Sequence, residues 1–160
     1  MEDRLIDYSI LDNYAKKYAH NEFTRLFFEA GLKLKTAVQR KLNESNIDTT
    51  SQQAAVLYSL WKKDGISQTE LSHITNKQKS NLTRIIDNLE KKDLVERVVN
   101  KNDRRSFNIK LTDKGYALCE KILPIFFEVL NQAFCDFTPE DDKVLNGFIA
   151  RMIKNLDSLE

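Results

Sequence analysis

Apolar residues recur every three or four positions along much of this chain, which is the spacing of helices with one buried face. The spacing predicts a long helix over residues 21–44 and a second helix over residues 50–63 that ends at Asp64-Gly65. The second helix is expected to turn four residues inward, namely Ala54, Leu57, Leu60 and Trp61. A third helix is predicted over residues 77–92, and it carries the sharpest apolar stripe of the chain, formed by Leu82, Ile85, Ile86 and Leu89.

The segments on either side of the third helix predict shorter elements. Ser67-Gln68-Thr69-Glu70 has the form of a capping box, in which the serine hydroxyl accepts a backbone N–H bond and the glutamate reaches back to the cap. It predicts a short helix that runs to about His73, followed by a turn at residues 75–77. Residues 94–100 and 106–111 are rich in strand-forming residues and predict a hairpin with a charged tip between them.

Two further helices are predicted in the carboxyl-terminal third. Thr112 caps a long helix, and Pro124 is expected to kink it a few residues earlier. Thr138 and Pro139 open a last helix that runs towards Leu156. Residues 1–20 also show helical spacing, but their apolar residues are too few to bury themselves, so this stretch is expected to pack on something else, such as another subunit.

Composition and charge narrow the class of protein. The 160 residues are 41% apolar and 31% charged, which suffices for one ordinary domain without disulfides or a structural metal. The net charge is only +1, but residues 76–110 hold ten basic and five acidic residues, whereas the rest of the chain holds 15 basic and 19 acidic. A basic segment inside an acidic body indicates a polyanionic partner.

The cysteines and the apolar runs indicate where the protein works. Cys119 and Cys135 lie too far apart along a helical stretch to form a disulfide, and we expect both to be buried small apolar residues rather than redox sensors. The sequence contains no run of 18 apolar residues and no signal peptide. We therefore expect a soluble, cytoplasmic protein without a membrane partner.

The order of elements predicts a mainly α fold with a small β-wing, a winged helix-turn-helix whose third helix can enter a major groove. Base edges in that groove display hydrogen-bond donors and acceptors, and the polar face of the helix offers matching side chains: Gln78, Lys79, Ser80, Asn81, Thr83 and Arg84. The hairpin tip adds Lys101, Arg104 and Arg105, of which an arginine can follow the minor groove. There are plainer interpretations: the polar helix face could simply be solvated, and the charged hairpin tip could simply keep an edge strand soluble. The order of elements favours DNA binding over both.

Three segments together resemble the MarR family of dimeric winged-helix transcription regulators. They are the unbroken series KSNLTRIIDNLEKKDLVER at residues 79–97, then Asp103-Arg104-Arg105, then Leu111-Thr112-Asp113-Lys114-Gly115. Each segment alone is weak evidence, but the order and spacing are specific. The resemblance covers roughly residues 23–156, and it implies a homodimer that binds a pseudo-palindromic operator, acts as a ligand-responsive repressor, and needs no cofactor.

The resemblance also implies roles for particular residues. Those expected to contact bases and phosphates are Lys77, Gln78, Lys79, Ser80, Asn81, Thr83 and Arg84. Ser67, Gln68 and Thr69 would lie near the DNA backbone, and Lys101 and Arg104 would lie on the wing. Arg105 would enter the minor groove, oriented by Asp103 through a charge-assisted pair.

The resemblance divides the chain into three parts of one continuous unit. Residues 1–47 would form amino-terminal dimerisation helices, residues 48–111 the DNA-binding lobe, and residues 112–160 carboxy-terminal dimerisation helices. One departure from the family is Asp93, which stands where a glycine is usual, although aspartate tolerates the left-handed backbone conformation better than most residues. A second departure is the stretch before residue 21, whose role stays open.

The sequence gives weaker evidence for binding or catalytic sites other than the DNA-binding surface. An aromatic set could line a pocket for a small aromatic effector or could be plain core: Phe23, Phe27, Trp61, Phe126 and Phe127. His20 and His73 are isolated, so we expect no metal site. Because no phosphate-binding loop or nucleophile elbow is present, we expect no enzyme. The alternatives to a specific regulator are a winged-helix module that binds protein and a nucleoid-type DNA binder without sequence preference.

Overall fold

The order of helices and strands follows the sequence prediction closely. The computed structural model describes residues 21–100 and 107–159. Within them the helices are α1 (Asn21–Glu44), α2 (Ser51–Lys62), α3 (Gln68–Ile74), α4 (Lys79–Lys91), α5 (Asp113–Ala133) and α6 (Pro139–Asp157). The strands are β1 (Ile66–Ser67), β2 (Val95–Val99) and β3 (Phe107–Leu111). The predicted fold class, mainly α with a small β-wing, is confirmed.

Side-chain caps explain where several helices begin. Thr50 Oγ1 accepts a hydrogen bond from Gln53 N at 3.1 Å, and Gln53 Oε1 accepts one from Thr50 N at 3.1 Å, which completes a capping box at the start of α2. Thr138 forms a second capping box at the start of α6, and Thr112 caps α5 by accepting from Gly115 N at 3.0 Å. Caps depend on residues that are adjacent in sequence, and for this reason the predicted starts of α5 and α6 are accurate, whereas α4, predicted from residue 77, begins at Lys79.

The three strands form one antiparallel sheet in the order β1-β3-β2. Strands β2 and β3 pair along their whole described length, from Val95 opposite Leu111 to Val99 opposite Phe107. Strand β1 pairs Ile66 with Ile109 and is absent from the sequence prediction. A strand of two residues is too short to show an alternating pattern, and the strand it pairs with lies far along the chain, so the local sequence does not predict it.

The hydrophobic core lies beneath α4 and holds that helix in one orientation. All four residues of the predicted α4 stripe are buried, with 0 to 6% of their surface exposed. Beneath them lie side chains from α1, α2, α3, the sheet and α5, among which the large and fully buried ones are Leu42, Leu57, Leu60, Leu71, Ile109 and Ile122. Because α4 buries its whole apolar stripe, its polar face is directed to solvent.

Polar contacts join this core to the surrounding elements. Asp64 Oδ1 accepts a hydrogen bond from Leu111 N at 2.9 Å and so holds the entry to β1 against the end of β3. Burial, and next the hydrogen bond with Asp64, raise the pKa of Tyr116. Lys41 Nζ lies 2.5 Å from Glu128 Oε1 and ties α1 to α5, and this contact raises the pKa of Lys41.

Two of the predicted details are wrong. Trp61 was expected to face the core, but it lies in the last turn of α2, beyond the packed middle of that helix, and 44% of its surface is exposed. The Ser67 hydroxyl caps α3 by accepting from Glu70 N at 3.1 Å, but the Glu70 carboxylate does not reach back to complete a capping box. Instead it pairs with Lys63 Nζ at 2.6 Å, because the loop after α2 brings that lysine alongside.

The two cysteines have different surroundings, so the expectation that both are buried is wrong for Cys135. Cys119 is buried in the middle of α5, and its thiol lies 3.7 Å from the carbonyl oxygen of Leu57. Cys135 follows the end of α5 at Ala133, where the chain leaves the core, and it is exposed in the single chain. Burial was expected because cysteine is most often a buried small apolar residue, but the helix ends before Cys135.

We expect Cys119 to resist alkylation in the folded protein. Burial raises the pKa of its thiol to about 11, so almost none of it is the reactive thiolate near neutral pH. Treatment with iodoacetamide at about pH 8, followed by peptide mass mapping, should find Cys119 unmodified in the folded chain and modified after urea unfolds it. Rapid modification of Cys119 without denaturant would contradict its burial.

The helices at the two ends of the described chain expose an unusual amount of apolar surface. Helix α6 has no buried side chain among the described residues. Large apolar side chains of α1, α5 and α6 are exposed together, and we call this set the apolar face: Phe23, Leu26, Phe28, Leu32, Phe127, Leu130, Phe134, Val144, Phe148, Ile153 and Leu156. Five of them line one groove between α1, α5 and α6, namely Phe23, Leu26, Phe28, Leu32 and Phe134, and contiguous apolar surface of this kind marks an interaction site.

Two features of the long helices bear on the remaining expectations. Helix α5 continues through Pro124, whose ring lies inside the helix. The kink expected there stays a prediction. None of the helices in residues 21–100 and 107–159 is both long enough and apolar enough to cross a membrane.

Candidate nucleic-acid interface

Helix α4 presents most of the predicted contact residues to solvent. Gln78, Lys79, Ser80 and Arg84 are exposed, and they lie at the start of the helix and along its outer face. Lys77, in the turn before α4, is half-buried. Four exposed donors or acceptors on one rigid helix can all meet base edges or phosphates at once.

The turn between α3 and α4 is fixed by local hydrogen bonds. Ser72 Oγ donates to the carbonyl oxygen of Lys77 at 2.6 Å, and Thr75 Oγ1 donates to the carbonyl oxygen of Leu71 at 2.7 Å. Asn76 adopts the left-handed conformation with φ of 46°, which asparagine tolerates better than most residues. These contacts set the angle between the two helices of the helix-turn-helix.

Gln68 and Thr83 are held by each other in the DNA-free chain. Gln68 Nε2 donates to Thr83 Oγ1 at 2.6 Å, and Thr83 Oγ1 donates to the carbonyl oxygen of Lys79 at 2.8 Å. Ser67 is also engaged, as the cap of α3, whereas Thr69 is exposed. Gln68 and Thr83 thus connect α3 to α4, and a base or phosphate would have to compete for their polar atoms.

Asn81 has an unusual environment for a polar side chain. Its Oδ1 atom is buried and has no hydrogen-bond partner among the described residues. A buried acceptor without a partner destabilises a fold by about 1–3 kcal/mol. Such groups are uncommon in proteins, and each calls for an explanation.

The first turn of α4 offers backbone donors as well. Gln78 is its N-cap, and within the described residues its side chain makes no capping hydrogen bond. The first backbone N–H groups of a helix have no partner inside the helix. They favour an anion such as a phosphate at this end.

The strands of the wing are described, but its tip is not. The β2–β3 ladder extends to the pair Val99 and Phe107, and Asn100 Nδ2 donates to Asn108 Oδ1 at 3.2 Å beside it. The predicted wing contacts fall outside the described residues, namely Lys101, Asp103, Arg104 and Arg105. The two paired strands on either side of these residues are present, and the roles of the four residues stay predictions.

Asp93 occupies the turn between α4 and the wing in the conformation that the sequence analysis expects. Its φ is 59°, in the left-handed region. The chain then turns back sharply, and Leu94 N donates to the carbonyl oxygen of Leu89 at 2.9 Å. An aspartate therefore fulfils here the conformational role for which the family usually has glycine.

A cluster of three charged side chains was not predicted. Arg97 of β2 contacts the carboxylates of Asp87 and Glu90, which both belong to α4. In the sequence these three residues contribute to the charge of residues 76–110 and to the series at residues 79–97, and neither pattern predicts a contact among them. The sequence places residues 87 and 90 one helical turn apart on one side of α4, but nothing in it states that Arg97 of the following strand lies against them.

The five aromatic residues proposed for an effector pocket are not brought together. Phe23 and Phe27 line a groove of about 990 Å³ between α1, α5 and α6. Trp61, Phe126 and Phe127 are not among its lining residues, and the ring of Phe126 instead packs on Tyr58 with ring centroids 5.9 Å apart. A second cavity, of about 490 Å³, lies at the other end of α4 and is lined by side chains that include Lys92, Leu94, Lys114, Leu118 and Lys121.

Comparison with known proteins agrees with this geometry. The model of the MarR family matches residues 49–107, which span α2 to the start of β3. The transcriptional repressor MprA of Escherichia coli is 28% identical over 137 residues, which cover 86% of this chain and 78% of the repressor. The multiple antibiotic resistance protein MarR of Escherichia coli is 38% identical over 95 residues, 58% of this chain and 66% of that protein.

Solved structures extend the similarity to nearly the whole described chain. A variant of Escherichia coli MarR complexed with operator DNA has a TM-score of 0.74 and 27% identity, over 84% of this chain and 98% of that one. The MepR–DNA complex of S. aureus has a TM-score of 0.76 and 25% identity, over 83% and 97%. The resemblance noted in the sequence is confirmed by the family model, the relatives and the shared fold, and residues 49–107 form a MarR family domain.

Proposed function

We propose that this protein is a transcriptional regulator that binds double-stranded DNA in a sequence-specific manner as a homodimer. The observation that carries the proposal is the rigid seating of α4, whose apolar stripe is buried while Gln78, Lys79, Ser80 and Arg84 face solvent. Two structural relatives were solved with DNA, and the relative MprA is named a transcriptional repressor, which supports repression as the mode of action. These relatives are regulators rather than enzymes.

In this proposal the residues of α4 read the major groove. Arg84 and Asn81 contact base edges, whereas Lys77, Lys79 and the first N–H groups of α4 contact phosphates. Ser67, Gln68 and Thr69 approach the DNA backbone from the start of α3. The wing supplies Lys101 and Arg104 to phosphates, and Arg105, oriented by Asp103, enters the minor groove.

The two halves of the dimer would each bind one half-site. The helices within residues 1–47 and 112–160 form the dimer, and the lobe of residues 48–111 binds the DNA. Two such lobes at a fixed separation match half-sites about one helical turn apart, so the operator is pseudo-palindromic. A protein with this function acts where the chromosome lies, in the cytoplasm.

A small aromatic effector would act on the distance between the two α4 helices. An effector that binds one separation better than the other shifts the population and so changes operator affinity. The groove beside Phe23 and Phe27 is the part of the predicted pocket that the geometry supports. A linkage titration in which operator affinity is the same with and without effector would exclude this coupling.

Selection of bound duplexes from a random pool, followed by substitution of single residues, tests the function. The wild type should recover a palindromic motif. Arg105→Ala should weaken binding to it by about 1–3 kcal/mol and leave the dimer intact, because the wing contact is local. Arg84→Ala should change the preferred sequence, whereas Lys101→Ala should weaken all duplexes alike and lower the salt dependence of binding.

The outcome also separates the alternatives. Binding without any recovered motif, lost equally from all duplexes as salt rises, would identify a nucleoid-type protein instead. Absence of binding to every duplex at low salt would favour a module that binds protein. Equal effects of Arg84→Ala and Lys101→Ala on all sequences would show that α4 does not read bases.

A further inference from the structure

Arg97 joins the wing to the helix that we propose to enter the major groove. Its Nη2 atom lies 2.5 Å from Asp87 Oδ1, and its Nη1 atom contacts Glu90 Oε2. The two carboxylates belong to successive turns of α4, so one planar guanidinium bridges them with two separate nitrogens. We call this arrangement the Arg97 clamp.

The position of the Arg97 clamp in the sheet allows it to fix the orientation of the wing relative to α4. Arg97 stands opposite Ile109 in the register of β2 and β3, on the same face of the sheet as the buried Val95. It lies two residues before the last described pair of the ladder, Val99 with Phe107. The clamp therefore lies close to the last described pair of the two wing strands.

Stability alone is a poor explanation for the clamp. The side chain of Arg97 is 23% exposed, and those of Asp87 and Glu90 are 45% and 41% exposed. Ion pairs with this exposure contribute little to folding. Two carboxylates on α4 would also repel DNA phosphates, so their presence on this helix calls for a role besides charge.

We propose that Arg97 is a positioning residue that fixes the wing at the angle to α4 from which both can contact one duplex. This inference rests on the proposed function, because it concerns how that function is achieved. When the clamp is formed, the wing occupies the binding-competent arrangement before DNA arrives. When the clamp is broken, only a fraction of molecules has that arrangement, and the apparent affinity falls by that fraction.

The inference and simple electrostatics predict opposite changes in DNA affinity when Asp87 is replaced. Asp87→Asn removes a negative charge near DNA, and charge alone would make binding tighter. Loss of the clamp should instead weaken binding, by about three- to tenfold. Arg97→Lys keeps the positive charge but has one nitrogen where two are needed, so it should weaken binding to a similar extent.

The experiment measures affinity for the duplex recovered by selection and for a shuffled duplex of the same composition, by fluorescence anisotropy. The variants are Asp87→Asn, Arg97→Lys and the double variant that combines them. Glu96→Gln is the matched control, because Glu96 is an exposed carboxylate on the same strand and points away from α4. Circular dichroism melting checks that each variant is folded.

Footprinting supplies a result that a purely structural role would not give. In the clamp variants, hydroxyl-radical protection should be lost at the flanks that the wing covers and kept where α4 lies. The double variant should lose no more affinity than either single variant, because each of the three leaves at most one of the two contacts that form the clamp. Melting temperatures should change little.

Each other outcome has a definite meaning. Tighter binding by Asp87→Asn, or wild-type affinity in Arg97→Lys, would overturn the inference and leave the proposed function intact. If protection from hydroxyl radicals fell equally at all positions of the footprint, the inference would be overturned as well, because a general loss of folding or of affinity gives that result. If the wild type itself binds the selected and shuffled duplexes equally, the proposed function fails and this inference fails with it.

Discussion

Replacement of Gly115 by alanine is expected to lower the free energy of unfolding by about 3 kcal/mol or more. A Cβ atom at this position would lie 2.1 Å from the carbonyl oxygen of Leu94 and 3.1 Å from Leu111 Cδ2. The nearest atom belongs to the backbone, so no side-chain rotation can relieve the overlap. Urea unfolding followed by circular dichroism measures the change.

The overlap arises because the first turn of α5 is pressed against the start of the wing. Thr112 N donates to the carbonyl oxygen of Leu94 at 3.2 Å, and Thr112 Oγ1 donates to that of Asp93 at 2.8 Å. Movement of α5 away from Leu94 would break both contacts. Alanine at this site therefore disturbs the junction of α4, the wing and α5 together.

Gly147→Ala is the matched control for this substitution. Gly147 lies within α6, and a Cβ atom added there meets no other atom within 4 Å. Alanine is favoured over glycine in open helix positions by roughly 1 kcal/mol, so this variant should be as stable as the wild type or more stable. If Gly115→Ala behaved like Gly147→Ala, the close contact at Leu94 would be refuted.

The parts of the fold that the sequence predicted well depend on neighbouring residues. Helix starts follow from caps such as Thr50 and Thr138, and the apolar stripe of α4 follows from a period of 3.6 residues. The parts that it predicted poorly depend on distant residues. Strand β1 forms only because Ile66 meets Ile109, and Glu70 pairs with Lys63 only because a loop brings them together.

In the candidate nucleic-acid interface, too, features that depend on neighbouring residues could be predicted and features that depend on distant residues could not. The polar face of α4 could be predicted, since it is the side opposite the stripe. The hydrogen bond between Gln68 and Thr83 and the Arg97 clamp could not, because each joins two elements whose relative placement the sequence does not state. Exposure of Trp61 and Cys135 likewise depends on where neighbouring elements end rather than on residue type.

The apolar face argues for the dimer independently of family membership. The apolar face comprises eleven exposed large apolar side chains on α1, α6 and α5 with its C-cap, whereas α4 buries its whole apolar stripe. A groove lined by several such side chains is rarely left to solvent by a protein that works as a monomer. The helices that expose them come from both ends of the described chain, where the sequence analysis places dimerisation.

Leu32→Glu is expected to convert the dimer to a monomer and to weaken operator binding by roughly 100-fold or more. Leu32 belongs to the apolar face, lines the groove between α1, α5 and α6, and is 64% exposed in the single chain. Its replacement therefore leaves the core of the chain untouched. In a symmetric dimer each subunit carries the substitution, so the interface would contain two glutamates. Their carboxylates would be desolvated there without gaining hydrogen-bond or ion-pair partners.

The loss of DNA affinity follows from geometry. In a dimer the binding of one α4 helix holds the second beside its own half-site, whereas a monomer binds each half-site separately. Sedimentation velocity should show the monomer, anisotropy with the selected duplex should show the weaker binding, and circular dichroism should show unchanged helix content. Ile74→Glu is the control for sedimentation, because Ile74 is also an exposed apolar residue but lies on α3, away from the apolar face. If Leu32→Glu stayed dimeric while binding DNA as tightly as Ile74→Glu, this part of the apolar face would not be the dimer interface.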